Sequence, residues 1–197
     1  MTGFLRVGVS GHRLLAEPGQ VAADVDAVLD RLVASAAGVR RRPGPSTGRD
    51  AGPRPGPGPG PAPGSIQLIA VSSLAEGADR IVAERVLARP GGRLEVLLPL
   101  EPDDYATDFA DEESRRTFDD LLVAADQVTV IPPDRSDASR EGAYARAGTA
   151  VLEQCDVLLA LWDGQGARGR GGTAEVVAEA RAMGRRVEVV AVERAID

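Results

Sequence analysis

Short apolar runs alternate with longer amphipathic segments over most of the chain. The run Val157–Leu161 is hydrophobic at every position, which is typical of a strand buried on both faces of a sheet. The segment Pro18–Ala37 instead repeats valine and leucine at helical spacing. The same reading predicts strands at 5–9, 66–71, 94–98, 128–131, 157–161 and 187–192, and helices at 18–37, 75–87, 138–153 and 174–184, with one more around Phe118. Strands that alternate with helices in this way predict an α/β protein with a Rossmann-like three-layer fold and a mainly parallel sheet.

One segment lacks this pattern. Residues 40–65 consist mainly of proline, glycine and arginine. Such a segment cannot bury enough apolar surface to offset the entropy lost on ordering, so it is predicted to be a disordered or extended insertion. The chain has 197 residues, of which 43% are hydrophobic, and this suits one domain. The predicted organisation is therefore a single domain over residues 1–197, with an insertion at 40–65.

The charge balance narrows the classes of partner. With 23 basic and 30 acidic residues the net charge is −7, which disfavours nonspecific binding to nucleic acid or to an anionic membrane. No apolar run approaches the length of a membrane span, and the first residues lack a signal-peptide pattern, so a cytoplasmic protein is expected. Cys155 is the single cysteine, which excludes an internal disulfide and a cysteine-based zinc site. No metal site is expected.

The glycine-rich stretch 163–172 joins a predicted buried strand to a predicted helix. The end of such a turn collects unpaired backbone N–H groups and the positive end of the helix dipole, an arrangement that typically binds phosphate. Gly171 and Gly172 would let the backbone approach a ligand closely, and Thr173 could cap the helix or donate to a phosphate oxygen. This turn therefore predicts a nucleotide site.

Charged residues near this turn have two interpretations each. Arg168 and Arg170 could clamp a phosphate, or they could be solvated loop charges. Glu175 in the first helical turn is favoured by the dipole even without a ligand. The glutamate therefore does not by itself indicate catalysis.

The loop after the first predicted strand carries Gly8, Ser10, Gly11, His12 and Arg13. Because ligands bind at the carboxyl ends of parallel strands, we expect this loop at the ligand edge of the sheet. His12 is the single histidine in the chain. It could order the loop by a hydrogen bond, contact a ribose or phosphate, or act in acid–base catalysis.

The loop after the second predicted strand contributes Ser72, Ser73, Glu76, Gly77 and Asp79 to the same edge. Ser73 and Glu76 match a capping box, which predicts a structural role for both. A glycine in a first helical turn is unfavourable by about 1 kcal/mol against alanine, so Gly77 indicates close approach of a ligand or of the neighbouring loop. Asp79 is open to a functional and to a solvated interpretation.

Aromatic residues are few and fall near predicted strand ends. Tyr105 and Trp162 are candidates for stacking on a nucleobase. Phe109 is expected in the core. Arg140 and Tyr144, one helical turn apart, could face the ligand together, although Tyr144 also suits a helix–sheet interface.

Three motifs in order along the chain carry a resemblance. They are VGVSGHR at Val7–Arg13, SLAEGAD at Ser73–Asp79 and GRGGTAE at Gly169–Glu175. Together they resemble the SLOG superfamily of Rossmann-like nucleotide-binding domains, which includes the LOG phosphoribohydrolases, the molybdenum-cofactor carrier-like proteins and the DNA-processing protein DprA. The second motif is similar to the S-G-L-A-x-G-I-D of DprA, and the third to the LOG signature P-G-G-x-G-T-x-E-E. The resemblance covers the chain apart from 40–65.

The resemblance implies three functions. The preferred one is binding of a phosphate-bearing nucleotide or nucleotide derivative by a ligand-sensing module. The first alternative is a LOG-type phosphoribohydrolase in which Glu175 stabilises the cationic sugar. Arg168 and Arg170 depart from that signature, and only one of its two paired glutamates, Glu175, is retained. The second alternative is DprA-like binding of single-stranded DNA. A homo-oligomer is left open. The candidate ligand-binding residues are Gly8, Ser10, Gly11, His12, Arg13, Ser72, Ser73, Glu76, Gly77, Asp79, Tyr105, Trp162, Gly171, Gly172, Thr173 and Glu175.

Overall fold

The computed structural model describes residues 3–40, 65–166 and 171–195. The interior of the predicted insertion, residues 41–64, lies outside this range, as do Arg168 and Arg170. The elements are β1 (Gly3–Gly11), α1 (Pro18–Arg40), β2 (Ile66–Ser72), α2 (Ala78–Leu87), β3 (Arg93–Leu98), α3 (Pro102–Tyr105), a 3-10 turn (Ala106–Asp108), α4 (Glu112–Ala124), β4 (Gln127–Val130), α5 (Arg140–Gln154), β5 (Val157–Trp162), α6 (Thr173–Ala182) and β6 (Arg186–Ala191).

The six strands form one parallel sheet in the order β4-β3-β2-β1-β5-β6. The prediction of a Rossmann-like α/β fold with a parallel sheet is confirmed. The strand order runs in one direction from β1 to β4 and in the other from β5 to β6, so it switches between β1 and β5. In open parallel sheets the crevice at such a switch is where ligands bind.

Successive residues of β5 show how the sheet separates two cores. Val157, Leu159 and Leu161 belong to the larger core, which includes apolar residues of α1, α2 and α4. Leu158 and Ala160 belong to a smaller core with residues of α5 and α6. Side chains alternate between the faces of a strand, so the sheet is covered on both sides.

Most predicted boundaries lie within three residues of the observed ones. Helix α5 begins after Ser139, whose hydroxyl accepts a hydrogen bond from the Gly142 N–H at 3.0 Å and caps the helix. The acidic segment 101–108, which the apolar pattern assigns to neither a strand nor a helix, contains α3 and a 3-10 turn. No helix within the described residues has the length and apolar character needed to cross a membrane.

Candidate functional site

A cavity of about 340 Å³ opens at the carboxyl ends of β1 and β5, where the strand order switches. The loops after β1 and β2, the face of α5 and the start of α6 form its walls. Its lining includes Ser10, Gly11, His12, Arg13, Ser73, Asp79, Pro99, Tyr105, Tyr144, Ala147, Gly148, Val151, Gly171, Gly172, Thr173, Ala174 and Arg194. The volume is at the lower end of the range of about 300–1,000 Å³ typical of ligand pockets.

The start of α6 forms one wall of the cavity. Gly172 is the N-cap residue, and Thr173, 8% exposed, is the first helical residue. Backbone N–H groups in a first helical turn have no partner within the helix, so those of Thr173 and Ala174 form the positive end of the α6 dipole. This wall is the one that suits an anionic group.

Glu175 lies outside this wall. Its side chain is exposed, and Oε2 accepts a hydrogen bond from the Gly171 N–H at 2.6 Å. The carboxylate therefore supports the turn that precedes its own helix, and the cavity lining does not include it. Gly171 has a φ of +78°, which favours glycine at this turn.

The two glycines of the β1 loop have different surroundings. At Gly11 a Cβ would lie 2.3 Å from the Cβ of Ala78 and 2.8 Å from the Leu161 carbonyl oxygen, so this position is closed to larger residues. Gly8 lies farther back in the strand, where a Cβ would lie 2.8 Å from the Sγ of Cys155. Gly8 therefore permits the packing of β1 on α5 and does not line the cavity.

His12 belongs to a three-residue cluster with Asp163 and Arg194. Its side chain is 8% exposed, and Nε2 accepts a hydrogen bond from the Asp163 N–H at 3.1 Å. Arg194 Nε lies 3.2 Å from the same ring nitrogen and 2.7 Å from Asp163 Oδ2. Burial acts to raise the pKa of Asp163, but the Gln165 N–H, His12 and Arg194 outweigh it and lower the pKa to about 2. This cluster joins the ends of β1, β5 and β6.

Asp79 is a buried acid in the wall opposite α6. It is 6% exposed, and its Oδ2 accepts hydrogen bonds from the Ser72 hydroxyl at 2.9 Å and the Ser73 N–H at 3.2 Å. Removal from water disfavours the charged carboxylate and raises its pKa to about 6, although bonds from Ser72, Ala75 and Ser73 act in the opposite direction. Asp79 therefore holds the β2–α2 loop in place.

The capping-box prediction for Ser73 and Glu76 is wrong. Helix α2 begins at Ala78, and its N-cap residue is Gly77, with no side-chain cap. The chain cannot continue as a helix from Ser73, because Leu74 and Gly77 have φ values of 57° and 75°. Glu76 instead accepts hydrogen bonds from the Ala110 N–H and the Ser114 hydroxyl, and it does not line the cavity.

Gly77 is explained by the neighbouring loop. A Cβ at this position would lie 2.2 Å from the Arg13 carbonyl oxygen and 2.6 Å from that of His12. The Ala78 N–H donates to the His12 carbonyl at 3.1 Å, so the β1 loop caps α2. Of the two reasons predicted for this glycine, the structure supports close approach of the loop.

The two stacking candidates separate. Tyr105 lines the cavity, but its ring is 3% exposed and packs edge-on against Phe109 and Phe118. Phe109 is in the core, as predicted. Trp162 packs on the smaller core and donates from Nε1 to the Gln165 carbonyl at 2.9 Å, so it lies outside the cavity wall. Neither ring presents an open face of the kind expected for a base platform.

Tyr144 also lines the cavity, and its hydroxyl donates to Asp108. Arg140 is held away from the cavity by Asp104 at 2.7 Å and by Asp108 at 2.9 Å. Burial raises the pKa of the Tyr144 hydroxyl, and its bond to Asp108 acts in the same direction. The pair therefore ties α5 to the acidic segment 101–108, and of the two residues only Tyr144 lines the cavity.

Ten of the sixteen predicted site residues line the cavity: Ser10, Gly11, His12, Arg13, Ser73, Asp79, Tyr105, Gly171, Gly172 and Thr173. The predicted residues outside the lining are Gly8, Ser72, Glu76, Gly77, Trp162 and Glu175. Sequence reasoning missed Arg194 and the small residues Ala147 and Gly148. The small residues Ala143, Ala147 and Gly148 along the predicted helix 138–153 were a usable signal of a close helix face, whereas Arg194 carries no signal until the neighbour of β5 is known.

Within the described part of the chain, no group of three or more histidine, cysteine, aspartate or glutamate side chains could hold a metal ion. Cys155 is buried, and burial raises the pKa of its thiol. No family model and no curated protein matches this sequence.

Proposed function

We propose that the cavity binds a phosphate-bearing nucleotide or nucleotide derivative, and that the protein acts as a ligand-sensing module. The observation that carries this proposal is the position of the α6 N-terminus in a cavity at the switch between β1 and β5. Parallel sheets bind ligands at this place, and helix N-termini there favour phosphate. The resemblance of three motifs to SLOG domains agrees with it.

The walls suit the two ends of such a ligand differently. Thr173 and Ala174 offer backbone N–H groups to a phosphate, and Arg13, with a side chain 47% exposed, supplies a positive charge at the rim. Pro99 and Val151 contribute apolar surface elsewhere in the lining. The small volume favours a single nucleotide unit over a dinucleotide.

The phosphoribohydrolase alternative receives less support. Glu175, the acid that the LOG resemblance assigns to hydrolysis, is exposed and bonded to the Gly171 N–H outside the cavity lining. A group that stabilises a cationic sugar must contact it. The DprA-like alternative is disfavoured by the net charge of −7.

Calorimetric titration with the four ribonucleoside 5′-monophosphates tests the proposal, in the parent protein and in Gly172→Val. Gly172 has a φ of −73° and a ψ of 161°, a conformation that any residue adopts, so the variant is expected to fold. Its branched side chain would occupy the phosphate position. We expect at least one monophosphate to bind the parent and its affinity to fall by about tenfold or more in the variant.

Gly19→Val is the matched control. Gly19 is exposed near the start of α1, where a Cβ meets no atom within 4 Å, so both melting temperature and affinity should be kept to within small changes. Binding to Gly172→Val with parental affinity would refute the phosphate assignment. Absence of binding by the parent to all four probes would refute the proposed function.

A further inference from the structure

Asp79 is an acid in a position where an acid is costly. It is 6% exposed, lines the cavity, and shares that cavity with the helix end proposed to hold a phosphate. A buried carboxylate is stable only when its oxygens receive hydrogen bonds. The hydrogen bonds that the protein donates to Asp79 therefore determine which ones a ligand can add.

The protein supplies three donors. The Ser72 hydroxyl and the Ser73 N–H both donate to Oδ2, and the Ala75 N–H adds a third interaction. An ionised carboxylate has about four acceptor positions. The cavity face of Asp79 therefore retains capacity for a hydrogen bond from a bound molecule.

The arginines next to Asp79 in sequence and in the cavity lining are bonded to other groups. Arg13 lies 3.8 Å from Glu76 and donates to the Asp108 carbonyl at 3.4 Å. Arg80, the next residue, is directed to the Leu74 carbonyl at 3.1 Å and to the Ser114 carbonyl at 2.7 Å, and its guanidinium lies 4.4 Å from the Phe109 ring centroid. Arg194 is paired with Asp163 at 2.7 Å. A ligand group that meets Asp79 therefore meets an acceptor to which none of these arginines is bonded, which disfavours phosphate and favours a hydroxyl or amino donor.

We infer that Asp79 accepts a hydrogen bond from the 2′-hydroxyl group of the ligand's sugar, and that the cavity therefore selects ribonucleotides over 2′-deoxyribonucleotides. The inference rests on the proposed function. In a 5′-nucleotide the sugar lies next to the phosphate, so its hydroxyls follow the group held by α6. A base amino group has the same donor chemistry, and the experiment separates the two.

Calorimetric titration of the parent protein with AMP, 2′-deoxy-AMP and IMP tests this directly. IMP keeps the ribose of AMP and lacks the amino group. We expect AMP and IMP to bind alike. We expect 2′-deoxy-AMP to bind about tenfold or more weakly, because without the 2′-hydroxyl the buried carboxylate of Asp79 lacks a donor. The measurement needs no variant.

Two variants separate direct contact from positioning of the loop. Asp79→Ala removes the acceptor, so the preference for AMP over 2′-deoxy-AMP should fall to about onefold. Ser72→Ala loosens the same loop by removing one bond to Asp79 and one from the Leu74 N–H, but keeps the carboxylate. It should weaken both nucleotides by a similar factor and preserve the preference.

Equal binding of AMP and 2′-deoxy-AMP by the parent would overturn the inference and leave the proposed function standing. A preference that follows the amino group, with IMP bound weakly, would overturn the assignment to the sugar. Equal loss of both nucleotides in Asp79→Ala would show that Asp79 only positions the loop. If no nucleotide binds, the proposed function fails and this inference fails with it.

Discussion

Asp79 links the chemistry of one residue to the stability of the whole fold. Its pKa in the folded protein is about 6, above the ordinary value of 3.8, because burial disfavours the charged form. A raised folded pKa gives a contribution to stability that is complete below pH 3.8 and is lost as the pH rises through about 6. At neutral pH Asp79 is ionised, and its burial therefore lowers the free energy of unfolding.

Asp79→Asn should expose this cost. Asparagine is neutral at all pH values, so the free energy of unfolding of the variant minus that of the parent should increase between pH 4 and pH 7. The expected increase is up to about 3 kcal/mol, since a pKa difference of one unit between the folded and unfolded states corresponds to about 1.4 kcal/mol. Urea unfolding at several pH values measures it.

Asp163→Asn is the control for that series. The pKa of Asp163 is lowered to about 2, so its contribution is present above pH 3.8 and is lost only as the pH falls through about 2. The difference between this variant and the parent should stay nearly constant from pH 4 to pH 7. A constant difference for Asp79→Asn as well would contradict the raised pKa.

Gly77→Ala should be among the more destabilising single substitutions. Its φ of 75° with a ψ of −114° is a region that side chains avoid, and a Cβ would lie 2.2 Å from the Arg13 carbonyl oxygen. We expect a loss of about 2 kcal/mol or more in the free energy of unfolding. Gly184 has a φ of 69°, and a Cβ there would meet no atom within 4 Å. Gly184→Ala should therefore show only the conformational penalty of about 1–2 kcal/mol. Equal losses would mean that the contact with the β1 loop does not matter.

At the scale of the elements, the apolar pattern predicts the strands well because each is buried in a parallel sheet. Strand β5 has five consecutive apolar residues from Val157 to Leu161, and β1 and β2 were found to within two residues at each end. A run of apolar residues indicates burial, and the strands of a parallel sheet that is covered on both sides are buried. The same pattern placed the start of α6 to within one residue.

The β2–α2 loop could not be predicted from local sequence. Ser73 and Glu76 have the spacing of a capping box. Ser72 and Ser73 instead donate hydrogen bonds to Asp79, which gives the loop a different turn. At Gly77 the backbone of the β1 loop approaches closely. The Glu76 carboxylate accepts a hydrogen bond from the Ser114 hydroxyl of α4. These are contacts between elements, and they outweigh a local pattern whose capping bond is typically worth about 1 kcal/mol.

The segment after β6 is joined to the site by tertiary contacts alone. Leu15 and Arg194 form an antiparallel bridge, and the Ala16 N–H donates to the Glu193 carbonyl at 3.1 Å. Arg194 is thereby placed on Asp163 and His12. Its role could not be anticipated, since the adjacency of β5 and β6 to the β1 loop must be known first.

Arg194→Gln should raise the pKa of Asp163, because the substitution removes one of the groups that lower it. A titration of the Asp163 carboxyl carbon by NMR measures the change. Arg186→Gln is the control, because Arg186 pairs with Glu188 at 2.7 Å in the exposed part of β6. An unchanged Asp163 pKa in Arg194→Gln would contradict the cluster.

At the scale of the whole molecule, the cavity joins distant parts of the chain. The β1 loop precedes the predicted insertion at 40–65 and the β2 loop follows it, whereas α5 and α6 come much later in the chain. A ligand held by Asp79 and Thr173 together contacts two elements on opposite sides of the strand-order switch. Binding to the folded state alone would therefore stabilise the complete fold and not one half of it.

The position of β1 also determines how the protein can fold during synthesis. Its inner edge pairs with β5, and the Arg6 N–H donates to Asp156 across 150 positions of sequence. Translation proceeds at about 5–20 residues per second, so β1 waits many seconds with an unpaired edge before β5 leaves the ribosome. An apolar strand in that state can pair with other chains. The long-range pairing that creates the cavity thus also leaves an unpaired strand edge on the nascent chain until most of it has been made.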